Sequence, residues 1–479
     1  MSKQDKKELR QQIACEWLEE NYLNYGSLRH DVVTDRLQVR CAHNLGDEAI
    51  GRLGERQELW RNLTDKDINT MVCQCVVEKG VNISTNEMWT ALKSDLVPAV
   101  HPLRAWLDGL RPYTADQPDW IDMVAQQVTV LPSPLSNSLE NAASGYSLRA
   151  PHNATSVIGA PAEFRGEGNN TTPSYTTLYN PTPSADAFWR VCFKKWFVAM
   201  VASWMKNEVV NHTVLVFVGR QGIFKTTWLD HLIPPALREY SSKLPLSGQI
   251  SKDDRLRLCE NAMLNIDELD AICGREMNIV KSLLTSTDVN ERAAYGRLKE
   301  RRVRLASFCA STNNREFLTD VTGNRRWLPF EVESIQNPFH ITLPYELIYA
   351  QAKALVESGR FIYWFDLEDI EQLEKHNEEF RAMENEEQLL PILFDIPAEG
   401  KGEFMTTAEI SDKLVTYGGI KKPMSTRQLG ILLSKMGFTK KKMHMSATSV
   451  RGWMVYERKT DEINLAKKTG TSGHTDNIF

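Results

Sequence analysis

Four clusters of phosphate- and metal-handling side chains follow one another in this chain: Gly219-Arg-Gln-Gly-Ile-Phe-Lys-Thr-Thr227, Asn265-Ile-Asp-Glu-Leu269, Ser311-Thr-Asn-Asn314 and Gly323-Asn-Arg-Arg-Trp327. The first can cradle an anion. Gly219 and Gly222 let backbone N–H groups close on a phosphate, and Gln221, Phe224, Lys225, Thr226 and Thr227 complete the nucleotide-binding loop. Lys225 reaches the β- and γ-phosphates of ATP, and the Thr226 hydroxyl reaches Mg²⁺. The position before the lysine is usually glycine; Phe224 adopts positive φ less cheaply, which strains this loop. Asp267 and Glu268 then bring two carboxylates, Asp267 joining Thr226 as a Mg²⁺ ligand and Glu268 lying beside the attacking water. Asn313 can orient that water, and Arg325 and Arg326 can stabilise the γ-phosphate of a neighbouring subunit. Taken singly, each cluster also reads as a turn, a strand end or a surface ion pair. Their succession favours one ATP site, with Lys225, Asp267, Glu268, Asn313, Arg325 and Arg326 as its catalytic set.

Such residues need a rigid frame, and the intervening sequence supplies one. Val214–Val218, Met263–Ile266 and Leu305–Ala310 are short apolar runs that predict buried strands, each ending at one of the clusters. A helix is predicted from about Thr226. Strand, glycine loop, helix is the order a phosphate cradle requires.

The phrases NIDELD, KSLLTS, ERAAYGR and ASTNNREFLTDVTGNRRWLPFEV, between Leu264 and Glu331, carry a family resemblance. This stretch closely resembles the virulence-associated protein E family of phage and mobile-element ATPases, which are similar to superfamily 3 helicases and to the helicase halves of viral primase-helicases. The resemblance implies an AAA-like P-loop ATPase core that works on DNA during replication of a mobile element. It also implies a pore hairpin just before the asparagine strand. The basic run Glu291–Arg304 occupies that place, with Tyr295, Arg297 and Lys299 as candidates to grip a single strand by charge and stacking. A solvated charged surface is the plainer reading of such a run.

Farther on, Thr406–Tyr417 and Ser425–Met436 have helical apolar spacing, with Thr407 and Ser425 as N-caps. Strand-like Lys440–Met445 and Gly452–Tyr456 follow. Helix, helix and a two-stranded wing predict a winged helix, and residues 401–459 hold twelve basic side chains against four acidic ones. Lys421, Lys422, Arg427, Lys440, Lys441 and Lys442 are its candidate contacts to duplex DNA. Winged helices also dock proteins, which is the competing reading.

At 479 residues and 42% hydrophobic content the chain has room for two or three globular domains. No apolar run reaches membrane-spanning length and the charged start has no signal-peptide core, so a cytoplasmic protein without a membrane partner is expected. The net charge of −5 argues against nonspecific coating of DNA. Eight scattered cysteines suit a reducing compartment; Cys73-Gln-Cys75 and Cys41-Ala-His43 match no common zinc spacing and read as structural thiols. The expected organisation is a helical N-terminal domain (1–131), a flexible Ser/Asn/Pro-rich linker (132–185), the ATPase domain (186–365), an acidic helical connector (366–400), the winged helix (401–458) and a disordered tail (459–479). The aromatic stripe Trp189, Phe193, Phe197 and Met200 is expected to be core. The class is α/β, and the expected function is that of an ATP-dependent DNA helicase or translocase acting as a homo-oligomeric ring, a hexamer. The alternative is an ATP-switched replication initiator or regulator that does not unwind. Residues 1–131 show no convincing carboxylate and histidine set for primer synthesis, which weakens a third reading, a primase-helicase in one chain, and makes a separate primase an expected partner.

Overall fold

The computed structural model describes residues 3–40, 60–132, 185–244, 251–267, 269, 274–291, 300–318, 324–382, 385–397, 402–421, 423–445 and 448–459. The chain is mixed α/β and forms two compact units, Met1–Phe380 and Arg381–Phe479.

A six-stranded sheet organises the larger unit. In spatial order its strands are Val128–Val130, Trp327–Ile335, Val214–Val218, Ser307–Thr312, Met263–Ile266 and Ser241–Lys243. All are parallel except Val128–Val130, which pairs antiparallel at one edge. Val214–Val218 is buried at every residue, as a parallel strand covered on both faces must be. Its side chains alternate between two cores. Leu215 and Phe217 join Trp189, Phe193 and Trp228, while Val214, Val216 and Val218 join Leu264, Ile266 and Phe308. The helix Ala185–Met205 lies against the first core, with Trp189, Phe193, Phe197 and Met200 all buried as its aromatic spacing predicts. Two of its indoles find acceptors: Trp189 Nε1 donates to the Ala125 carbonyl at 3.0 Å and Trp196 Nε1 to that of Phe308 at 3.1 Å, whereas Trp204 Nε1 is buried without a hydrogen-bond partner.

The N-terminal region departs from the expectation of a separate helical domain. Leu103, Leu107, Ile121 and Val124 share the core of the large sheet, and Val128–Val130 extends that sheet. The composition change after residue 131 marks a different kind of segment but does not reveal that the chain has already joined the sheet; residues 133–184 lie outside the described residues. Helices Lys3–Leu18, Asp65–Lys79 and Thr85–Leu92 are accompanied by a four-stranded sheet ordered Trp60–Asn62, Arg36–Arg40, Leu28–Asp31, Ala99–Val100. Its hairpin turns through Asp35 at φ 57°. Cys73 is exposed and Cys75 buried on the Asp65–Lys79 helix, whereas Cys41 and His43 lie outside the described residues.

The expected connector is divided between the two units. Asp366 caps the helix Leu367–Asn377 through a capping box with Asp369, and Leu373, His376 and Asn377 are buried in the larger unit. His376 Nε2 lies 2.6 Å from the Pro329 carbonyl oxygen among Phe188, Phe330 and Phe380. Burial lowers its pKa to about 4, against the pull of that carbonyl. Burial and the Arg104 charge likewise lower His101 to about 4. Both histidines are therefore neutral when folded, and an unfolded chain takes up their protons first as pH falls below about 6.5. Stability present above that pH is lost as pH falls towards 4, with a slope approaching about 1.4 kcal/mol per pH unit for each histidine. Denaturant midpoints measured at pH 7 and pH 5 should differ accordingly, and His376→Gln should reduce the difference; equal midpoints would contradict the assignment.

The smaller unit holds helices Asn385–Leu393, Thr407–Gly418 and Thr426–Lys435, followed by the paired strands Thr439–Met445 and Thr448–Glu457. Glu403–Met405 pairs with the second of these strands. Ile410, Leu414, Leu429, Leu432 and Leu433 meet Trp453 and Val455 in its core. Ser425 caps its helix as expected. The other cap is Thr406 rather than Thr407: Thr406 closes a capping box with Glu409, and the Thr407 hydroxyl accepts instead from Trp453 Nε1 at 3.0 Å. Among the described residues, no helix is long and apolar enough to cross a membrane.

Candidate functional site

The site begins where the Val214–Val218 strand stops. Gly219 takes φ 150° while its N–H donates to the Thr312 carbonyl at 3.1 Å, and a Cβ there would meet the Val332 carbonyl oxygen at 2.7 Å. Only glycine fits. Gly222 follows at φ 87°, and Phe224 takes the left-handed conformation, φ 67° and ψ 18°, to cap the helix Lys225–His231. A left-handed non-glycine costs about 1 kcal/mol. Phe224 is held there by packing at the edge of the core and against the ring of Phe339. The loop thus forms without the usual glycine.

Three adjacent parallel strands end together at this edge of the sheet. Ser307–Thr312 lies between Val214–Val218 and Met263–Ile266, with Ser311 level with Phe217 and Ala310 level with Ile266. That order brings the glycine loop, Asn313 and Asp267 side by side. The Lys225 ammonium is buried and donates to the carbonyls of Gly219 at 2.6 Å and Arg220 at 2.7 Å, and to Asn313 Oδ1 at 3.0 Å. Thr226 Oγ1 donates to Asp267 Oδ1 at 3.2 Å and lies 3.1 Å from Ser311 Oγ, which is itself 3.3 Å from the same carboxylate oxygen. Lys243 Nζ donates to Asp267 Oδ2 at 2.5 Å. Burial works against ionising Asp267, but the Lys243 ammonium and the two hydroxyls outweigh it and hold the carboxyl below its usual range.

Chemically, the edge offers a glycine loop, an ammonium, a hydroxyl beside an ionised carboxylate, and an amide. Hard oxygen donors suit Mg²⁺, which binds through one or two carboxylates, keeps much of its water and bridges to phosphate oxygens. Thr226 and Asp267 therefore fit the metal, while Gly219, Gly222 and Lys225 fit the phosphates. Gln221 lies exposed on the loop, and the Thr227 backbone carbonyl is engaged by His231 Nδ1 at 2.8 Å.

Other expected residues lie elsewhere. Glu268, Tyr295, Arg297, Lys299 and Lys422 are outside the described residues, although the strands flanking the basic run, Asp288–Glu291 and Glu300–Val303, do pair antiparallel. Arg325 and Arg326 immediately precede the Trp327–Ile335 strand, whose first residue is level with Val214, so they lie at the end of the sheet opposite the glycine loop. The chain does not bring them to its own Lys225. Burial and the neighbouring Arg325 charge lower the Arg326 pKa. Lys421, Arg427, Lys440, Lys441 and Lys442 are all exposed on the smaller unit, with Lys440 Nζ 5.5 Å from the Trp453 ring centroid. The last residue of the basic run, Arg304, is not a surface group. It is fully buried and donates to the carbonyls of Ala306, Leu283, Leu284, Ser286 and Asn211.

Ser311 and Lys243 are site residues that motif reading missed. Ser311 lies two residues before Asn313, on the strand that ends at Thr312, and that spacing is a usable signal. Lys243 belongs to a short strand with no motif, and only its parallel register with Asn265 places it beside Asp267.

A mixed α/β unit with a glycine loop, an ionised aspartate and an asparagine aligned on adjacent strand ends defines the class of this chain. Residues 170–382 match the family model described as the virulence-associated protein E-like domain, a match that includes the glycine loop, Asp267 and Asn313. Among solved structures it is similar to the apo structure of the NrS-1 C terminal region (305-718), at 10% identity and a TM-score of 0.37, over 91% of this chain and 97% of that one. A second, the A form apo structure of the NrS-1 C terminal region-CTR, is 11% identical with a TM-score of 0.35, over 91% and 98%. No curated protein matches the chain.

Proposed function

We propose that this chain is a P-loop ATPase that drives a DNA helicase or translocase of a phage or mobile element. The observation that carries the reading is the convergence of Lys225, Thr226, Asp267 and Asn313 at the ends of three neighbouring parallel strands. Ligands of open α/β sheets sit at such strand ends. The loop N–H groups and Lys225 hold the phosphates of ATP, and Thr226 and Asp267 hold Mg²⁺. Held by these two residues, Mg²⁺ would supply positive charge against that developing on the transferred phosphoryl group. Asn313 and Glu268 orient the attacking water. Lys225 must release at least one of the three oxygens it now contacts in order to meet the phosphates.

Arg325 and Arg326 sit at the far end of the sheet, a position that serves a neighbour's site better than their own. This supports a homo-oligomeric ring, for which six subunits is the expected number. In sequence Tyr295, Arg297 and Lys299 fall between the paired strands Asp288–Glu291 and Glu300–Val303 and would grip a single strand, and the helix–helix–hairpin unit, read as a winged helix, would hold duplex DNA through its exposed lysines and Arg427. Primer synthesis is left to a separate primase.

Mixing Arg326→Ala subunits with Lys225→Ala subunits should restore part of the ATP turnover that each lacks alone, because an intact loop can then face an intact arginine. No recovery in mixtures shown to co-assemble would contradict action between subunits. Strand separation of forked DNA tests the larger claim: ATP-dependent unwinding supports it, while turnover without strand movement favours the ATP-switched initiator.

A further inference from the structure

We infer that Lys243 is an internal counter-cation for the metal position, occupying Asp267 until a divalent cation displaces it. This rests on the ATPase reading of the same site. The two oxygens of Asp267 are divided between different partners. Oδ1 faces the hydroxyls of Thr226 and Ser311, and Oδ2 is taken by the Lys243 ammonium at 2.5 Å. The lysine is there because its backbone is fixed. Residues Ser241–Lys243 pair with Met263–Ile266, Leu244 N–H donates to the Asn265 carbonyl at 2.9 Å, and the Lys243 carbonyl accepts from Arg257 Nη1 at 2.8 Å.

Its side chain is far more exposed than that of the other site lysine. Lys243 is 59% exposed, whereas Lys225 is 7% exposed. An ammonium swung outward from Asp267 re-enters water, so its release costs little. A divalent cation held between Thr226 and Asp267 would lie within a few ångströms of that ammonium, and two cations on one carboxylate repel. One must give way. The lysine therefore keeps the carboxylate neutralised before nucleotide arrives and raises the concentration of metal needed to load the site.

The test reads nucleotide binding rather than turnover. Binding of a fluorescent ATP analogue to the full chain is followed while Mg²⁺ is titrated, in wild type, Lys243→Ala and Lys243→Arg. Lys243→Ala should lower the Mg²⁺ concentration for half-maximal binding by about fivefold, the factor set by an exposed ion pair at the upper end of its usual strength. Lys243→Arg, which keeps the charge, should stay near wild type. An unchanged or raised Mg²⁺ requirement in a Lys243→Ala protein that still binds the analogue would overturn the inference alone. A wild-type protein that binds no analogue at any Mg²⁺ concentration would overturn the ATPase reading beneath it.

Discussion

Lys225→Ala is expected to remove nucleotide binding, with affinity falling on the order of 100-fold or more. Charge-assisted hydrogen bonds contribute about 1.5–3 kcal/mol each, and the lysine can offer more than one to the phosphates. Its ammonium is buried at the junction of the loop and Asn313. Calorimetric titration with ATP and Mg²⁺ checks this directly. Affinity within a few-fold of wild type, in a protein with an unchanged unfolding profile, would mean that the lysine serves only to brace the loop carbonyls.

The second large effect is on stability. Arg304→Ala should destabilise the larger unit by about 2–5 kcal/mol, from the lost buried hydrogen bonds and the cavity left behind. The guanidinium donates to five carbonyls drawn from three separate segments, and it lies 4.9 Å from the centre of the Phe308 ring. Burial lowers its pKa to about 9, so it is still charged at neutral pH. Truncation removes one donor from each of those carbonyls, although Leu283 O still accepts from the Ser286 N–H and Leu284 O still faces His212 Nδ1, and it opens a cavity beside the Ser307–Thr312 strand. Arg304→Lys should recover only part of the loss, because one ammonium cannot span the same fork of acceptors. A denaturant midpoint within experimental error of wild type would contradict this account.

How much was legible in the sequence follows the range of the interactions. Val214–Val218, Met263–Ile266 and Ser307–Thr312 announce themselves because a strand buried on both faces is an unbroken apolar run. The glycine loop is legible because its backbone angles demand glycine at 219 and 222. Phe224 is the informative exception. Its left-handed conformation is maintained by packing, which the sequence alone does not display. Lys243 and the edge strand Val128–Val130 were not legible, since each is placed by pairing with a strand distant in sequence. Arg304 was read with its basic neighbours. Position in a charged run says nothing about whether carbonyl oxygens from other segments will enclose one member of it.

The central claim is that Asp267 and its neighbours hydrolyse ATP. Phosphate release from ATP by the full chain, with Mg²⁺ and single-stranded DNA, tests it most directly when wild type is compared with Glu268→Gln and Lys225→Ala. The account predicts turnover by wild type alone, with Glu268→Gln still binding ATP and Lys225→Ala not binding it. Equal phosphate release by all three proteins, or none by wild type under conditions where it binds ATP, would contradict it.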